Sequence, residues 1–213
     1  MKIFMKDSAI ILDLDDTLVA THYRQYRCIQ DYLTGAGLKF IGYEEYFQLR
    51  RSKNLSNTAL LKTLPIKLDW EKFNLYYLQN IETEKYLALD KLIADKGLMG
   101  SVTQKGFKLI LLSLRSNPQQ SARQLQNLGI DIFFNETFFL SHSADDNPKI
   151  GILDKLRESY DIIAFCGDSP YDYEAAVQLN INFVQVETAL YQLPNFANAS
   201  LFTDINKYFL SIL

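Results

Sequence analysis

The sequence predicts an α/β protein: a doubly wound parallel sheet carrying a helical subdomain. Three observations lead there. Mainly apolar runs of strand length occur at Ala9–Leu12, Phe107–Leu112 and Asp161–Cys166, without the alternation of a half-exposed strand. Segments with helical spacing separate the later runs, and strands alternating with helices imply parallel pairing. Between about Thr21 and Tyr86 no strand pattern occurs, so this block is expected to form a separate helical subdomain inserted after the first strand. The expected division is 1–20 and 87–213 for the core and 21–86 for the insert.

In order, Ala9–Leu12 is the first strand and Thr17–Thr21 a turn region. Tyr23, Tyr26, Ile29, Tyr32 and Leu33 recur at helical spacing, and Gly35 or Gly37 ends that helix. Glu44–Arg51, Asn57–Leu64 and Asp69–Ile81 continue as helices, with Pro65 dividing the last two and Asp69 as N-cap. Leu87–Gln104 is expected to be one further helix, although Gly97 and Gly100 weaken it. Phe107–Leu112 is a strand. Pro118 then opens a helix that Gly129 closes. Of Ile130–Phe134 and Thr137–Leu140, at least one is a strand. Ser141–Pro148 is a polar loop, and Lys149 opens a helix to about Glu158. After the Asp161–Cys166 strand come a helix around Tyr173, Ala176 and Leu179, a strand at Ile181–Val186, an irregular stretch at 187–200 and a closing helix at Thr203–Leu213.

Composition narrows the class. Of 213 residues, 48% are hydrophobic and 22% charged, which suits a globular chain with a substantial core. Lys and Arg number 22 against 25 Asp and Glu, a net charge of −3, and no basic block favours a nucleic-acid partner. Thirteen Tyr and fourteen Phe are expected mainly to pack helices and core. Cys28 and Cys166 lie far apart, without metal-ligand spacing or need of a disulfide. The first apolar run is too short for a signal sequence, and none approaches the roughly 20 residues that span a bilayer. A cytoplasmic location and no membrane contact are expected.

The chemistry begins where the first strand ends. Asp13 and Asp15 stand two apart, so at a strand end both can point into one crevice. Crowded ionised carboxylates repel unless a cation or shared proton compensates them, although Asp is also common in turns. Two other strands end in polar clusters, Ser113/Arg115 and Asp168/Asp172. Parallel strands would bring all three clusters to one sheet edge, where open α/β sheets bind ligands. Four carboxylates together call for a hard cation, magnesium rather than zinc, while Ser113 and Lys149 suit a phosphate. The residues point to metal-assisted phosphoryl transfer.

With these motifs the chain resembles the haloacid dehalogenase-like hydrolase superfamily, in its phosphatase branch. Asp13-Leu14-Asp15-Asp16-Thr17 matches the first motif, DxDxT; Ser113 matches the second; Lys149 holds the place of the third; Gly167-Asp168-Ser169-Pro170-Tyr171-Asp172 matches GDxxxD. Leu114 stands where Asn often follows the second motif, and Pro148 precedes the lysine rather than following it. The resemblance implies a Rossmann-like core, with the helical block at 21–86 as its cap. It casts Asp13 as nucleophile and Asp15 as general acid and base, with Ser113 and Lys149 holding phosphoryl oxygens and Thr17 orienting the loop. Mg2+ would be bound by Asp13, the Asp15 main chain, Asp168 and Asp172.

An acid two positions after the nucleophile favours an oxygen leaving group. The resulting expectation is a phosphatase acting through an aspartyl-phosphate on a small phosphorylated metabolite or nucleotide. A phosphomutase or phosphotransferase, or a non-catalytic phosphate-binding regulator, would keep the same motifs. Arg115, Asn117 and His22 are candidate substrate contacts. Asp16 is taken as a turn residue, and His142 is given no chemical role. Substrate identity and oligomeric state stay open.

Overall fold

Alternate residues of the first strand are buried on opposite sides of a sheet, which is why the run is apolar throughout. The computed structural model describes residues 6–143, 145–187 and 196–213. In it, β1 (Asp7–Leu12) turns Ile10 and Leu12 toward a cluster with Met99, Val102, Leu125 and Phe209. Ala9 and Ile11 face a second cluster with Leu153, Leu156, Ala175 and Ala176. Each fully buried Ile or Leu contributes about 1.5–3 kcal/mol relative to exposure, so a polar residue on either face would be costly.

The sheet is completed by β4 (Lys108–Leu114), β5 (Phe134–Leu140), β6 (Tyr160–Gly167), β7 (Phe183–Val186) and β8 (Ser200–Phe202), in the order β5-β4-β1-β6-β7-β8. Every pairing within it is parallel. Helices α6 (Lys96–Gln104), α7 (Pro118–Leu128) and α10 (Ile205–Ile212) supply the first cluster; α8 (Pro148–Ser159) and α9 (Pro170–Gln178) supply the second. The expected doubly wound sheet is the observed one.

Between Ala20 and Lys91 the chain is helical: α1 (His22–Gly35), α2 (Tyr43–Lys53), α3 (Asn57–Thr63), α4 (Trp70–Asn80) and the short α5 (Glu84–Leu87). A third apolar cluster joins them through Tyr26, Ile29, Leu33, Tyr46, Leu60 and Phe73. Asp69 caps α4, accepting from Lys72 N at 3.2 Å.

Three expectations are corrected. Leu87–Gln104 is not one helix: Asp95 accepts from Leu98 N at 2.9 Å and starts α6 afresh. Before it, β3 (Lys91–Leu92) pairs antiparallel with β2 (Val19–Ala20), inside the expected turn region. This two-stranded ribbon closes the base of the helical segment. Finally, an edge strand, Ser200–Phe202, begins at the last residue of the expected irregular stretch, of which 188–195 lie outside the described residues.

Candidate active site

Parallel pairing of β4, β1 and β6 brings three strand ends together. Asp13 follows β1 and continues its ladder, donating from N to Cys166 O at 3.0 Å. Ser113 is the penultimate residue of β4 and buried; Asp168 follows β6. Lys149 comes from the first turn of α8, where Pro148 occupies N1 and Asn147 accepts from Lys149 N at 3.1 Å. Proline's fixed φ and missing N–H suit that helix start, which accounts for Pro148 preceding the lysine.

Lys149 Nζ lies 2.7 Å from Asp13 Oδ1 and also bonds Asp172 Oδ1. The lysine is 2% exposed; burial works against its charge, but Asp13 and Asp172 outweigh that and raise its pKa. Asp172 sits in a capping box with Ser169, whose Oγ donates to Oδ2 at 2.6 Å. Gly167 is required by the same contact, since a Cβ there would fall 2.5–2.7 Å from three Asp172 side-chain atoms.

Asp13, Asp168 and Asp172 offer oxygens within 4.8 Å of one another, all buried. Burial first, then neighbouring carboxylates, pushes Asp13 up to about 7 despite Lys149. Asp168 is raised well above the ordinary range by burial, then by Asp16, Asp13 and Asp172. One ammonium leaves this oxygen set short of positive charge. The residues therefore fit a hard divalent cation.

Asp15 faces a different environment. Arg115 grips it side-on, Nε at 3.1 Å from Oδ2 and Nη2 on Oδ1, and Arg24 of α1 reaches Oδ2 at 2.8 Å. Burial raises its pKa, but Arg115 and Arg24 more than reverse this, bringing it to about 2. Asp90, between α5 and β3, stands behind both arginines, 3.2 Å from Arg24 Nη1 and 3.7 Å from Arg115 Nη2. Gln124 donates to Asp90 at 2.7 Å. Asp16 is more than a turn residue: at φ 54° it is buried and accepts from both N and Oγ1 of Thr21, each at 2.9 Å. Thr17 is buried, and its Oγ1 has no hydrogen-bond partner.

These groups surround a cavity of about 180 Å³ floored by Asp13, Ser113, Lys149 and Asp168. Asp15, Asp16, Leu114 and Ser169 also line it, and the exposed His142 and Tyr171 stand at its mouth. The predicted substrate contacts lie elsewhere. Arg115 is behind Asp15; Asn117 caps α7 by accepting from Gln120 N at 3.2 Å. His22 Nδ1 lies 2.6 Å from Tyr43 Oη, with its ring against Phe47.

Sequence reasoning missed Asp90, because it was placed inside a helix that does not form. It missed His142 because only the fold brings that loop to the rim. Arg24, one of the helical-segment groups open to a specificity role by sequence, is instead turned to Asp15 and Asp90.

Carboxylates and a lysine thus gather at the carboxyl edge of a parallel sheet, the edge where open α/β sheets bind ligands. The model of the haloacid dehalogenase-like hydrolase family matches residues 10–186, and the chain belongs to that family. No curated protein matches in sequence. Among solved structures, a haloacid dehalogenase-like family hydrolase from Streptococcus pneumoniae superposes with TM-score 0.73 at 15% identity, covering 98% of this chain and 99% of that one. A haloacid dehalogenase-superfamily hydrolase of subfamily IA from Geobacter sulfurreducens gives 0.69 at 17%, covering 97% and 100%. A predicted phosphoglycolate phosphatase from Haemophilus somnus gives 0.67 at 18%, covering 99% and 100%. Among the described residues, no helix is long and apolar enough to cross a membrane.

Proposed function

We propose that the protein is a magnesium-dependent phosphatase of small phosphorylated metabolites or nucleotides, working through an aspartyl-phosphate on Asp13. The observation that carries this reading is Asp13 itself: a buried carboxylate bonded to Lys149 and sharing a 4.8 Å cluster with Asp168 and Asp172. Structural neighbours described as predicted phosphatases, such as the one from Haemophilus somnus, accord with it.

Asp13 attacks phosphorus with one oxygen and expels the leaving alkoxide. Asp15 protonates that oxygen, then takes a proton from the water that attacks the phosphoryl group and frees Asp13. Asp15 is ionised when bound by Arg115 and Arg24, so it must take up a proton from solvent before serving as acid; the arginines position it. Lys149 and Ser113 hold phosphoryl oxygens. Asp13, Asp168, Asp172 and the Asp15 main chain would hold Mg2+, whose charge would offset that of the phosphate. We take the helical segment at 21–86 as the cap that excludes water from this step. Arg24 links that segment to Asp15. A cytoplasmic location belongs to the same reading, and the free, buried Cys28 and Cys166 accord with it.

The test is release of inorganic phosphate from p-nitrophenyl phosphate by the purified chain. Turnover should require Mg2+ and vanish in Asp13→Asn. p-Nitrophenol released without matching inorganic phosphate, the phosphoryl group passing to an added acceptor alcohol, would instead mark a phosphotransferase, and normal turnover by Asp13→Asn would remove the assigned nucleophile.

A further inference from the structure

Most groups facing the acidic cavity have a place in handling phosphate, in the catalytic loop or in the capping of α9. Leu114, His142 and Tyr171 do not. His142 is exposed and Tyr171 is 43% exposed, so both rings meet solvent at the mouth of a site whose floor is buried. Their centroids lie 6.3 Å apart at an interplanar angle of 78°, an edge-to-face pair. Such a pair uses one of the four ring faces.

The rings are anchored relative to the reacting groups. Tyr171 immediately precedes Asp172, which bonds Lys149. Asn147, at the end of the loop carrying His142, donates to Tyr171 O at 2.7 Å and to Glu174 Oε2 at 3.2 Å. Loop and helix start are therefore tied together beside the phosphate floor. Among the described residues, none from the helical segment 22–87 lines this cavity.

Charge selects what could sit there. The only lysine or arginine among the cavity-lining residues, Lys149, is held by Asp13 and Asp172. The nearest arginines, Arg24 and Arg115, are turned to Asp15 and Asp90. A leaving group with its own carboxylate or phosphate would meet carboxylates at the walls. An uncharged planar group would meet two rings.

We infer that His142 and Tyr171 form a leaving-group subsite for an uncharged aromatic ring, so that the core as well as the helical segment sets specificity. This deepens the phosphatase reading and depends on it. Aromatic groups gain from edge-to-face and offset stacking beyond simple area burial. A saturated ring of similar size lacks that gain.

The experiment compares benzyl phosphate with cyclohexylmethyl phosphate, two esters with alkoxide leaving groups of similar bulk. The intact protein should favour benzyl phosphate by about three- to tenfold in kcat/KM, mostly through KM. Tyr171→Leu and His142→Leu should bring the ratio toward one, and Tyr171→Phe should keep it. A partly unfolded sample lowers both rates together, so the ratio reports the subsite alone. Equal rates on both esters, or a preference that survives both leucine variants, would overturn the subsite and leave the phosphatase reading standing. Hydrolysis of neither ester, nor of p-nitrophenyl phosphate, would overturn both.

Discussion

Arg115 and Asp15 form a bidentate pair, Nε on Oδ2 at 3.1 Å and Nη2 on Oδ1, across a hundred residues of sequence. One partner is 1% exposed and the other a third exposed, so the carboxylate reaches the cavity while its cation does not. With Arg24 and Asp90 behind, the pair joins the end of β4, the loop after β1, α1 and the return to the core.

Removing Arg115 should therefore be felt in stability. Arg115→Ala should lose on the order of 2–3 kcal/mol in urea denaturation, because Asp15 and Asp90 both lose charge-assisted partners. The pH dependence has a definite sign. Asp15 has a folded pKa of about 2, below its ordinary 3.8, so its stabilisation is present above about pH 4 and lost as pH falls toward 2. In Arg115→Ala that acid-limb loss should shrink. An unchanged acid limb would show that the pair does not hold Asp15 ionised.

Lys149 offers the complementary case. Lys149→Met leaves Asp13 and Asp172 buried without their ammonium, and Asp13, already raised to about 7, loses the charge that holds its pKa down. The folded state then binds more protons than the unfolded one across neutral pH, and stability falls as pH rises. The variant should be destabilised by about 3 kcal/mol at pH 8 and by less at pH 5. An equal loss at both values would contradict this.

Cation binding should depend on pH in the opposite sense to proton binding. Asp13, at about 7, and the raised Asp168 must give up protons to bind a cation. Mg2+ affinity measured calorimetrically should strengthen as pH rises from 6 to 8, with protons released. A flat profile, without proton release, would place the cation elsewhere.

Asp16 combines a left-handed backbone with two accepted hydrogen bonds. Asp16→Asn keeps the backbone preference and an acceptor, and should cost little. Asp16→Ala loses both, at about 1–3 kcal/mol, measurable by thermal melting. Similar melting of the two variants would show that neither feature matters.

The sheet was legible because strands buried on both faces leave continuous apolar runs, as in Ile10–Leu12 and Leu109–Leu112. The floor was legible because Asp13, Ser113 and Asp168 stand at the ends of those runs. The ribbon of Val19–Ala20 with Lys91–Leu92 was not, since two-residue strands carry no period. Nor were Arg24, Asp90 and His142, whose roles arise from contacts made across long stretches of chain. Arg115 was found by position but given a different partner: it faces Asp15, not the cavity.

As the proposed nucleophile, Asp13 should carry the phosphoryl group during turnover. Quenching the chain during turnover of p-nitrophenyl phosphate, reducing with borohydride and mapping by mass spectrometry tests it directly. The acyl phosphate should be reduced to homoserine at position 13 and nowhere else, and not in Asp13→Asn. Steady turnover with homoserine at another aspartate, or with none, would contradict it.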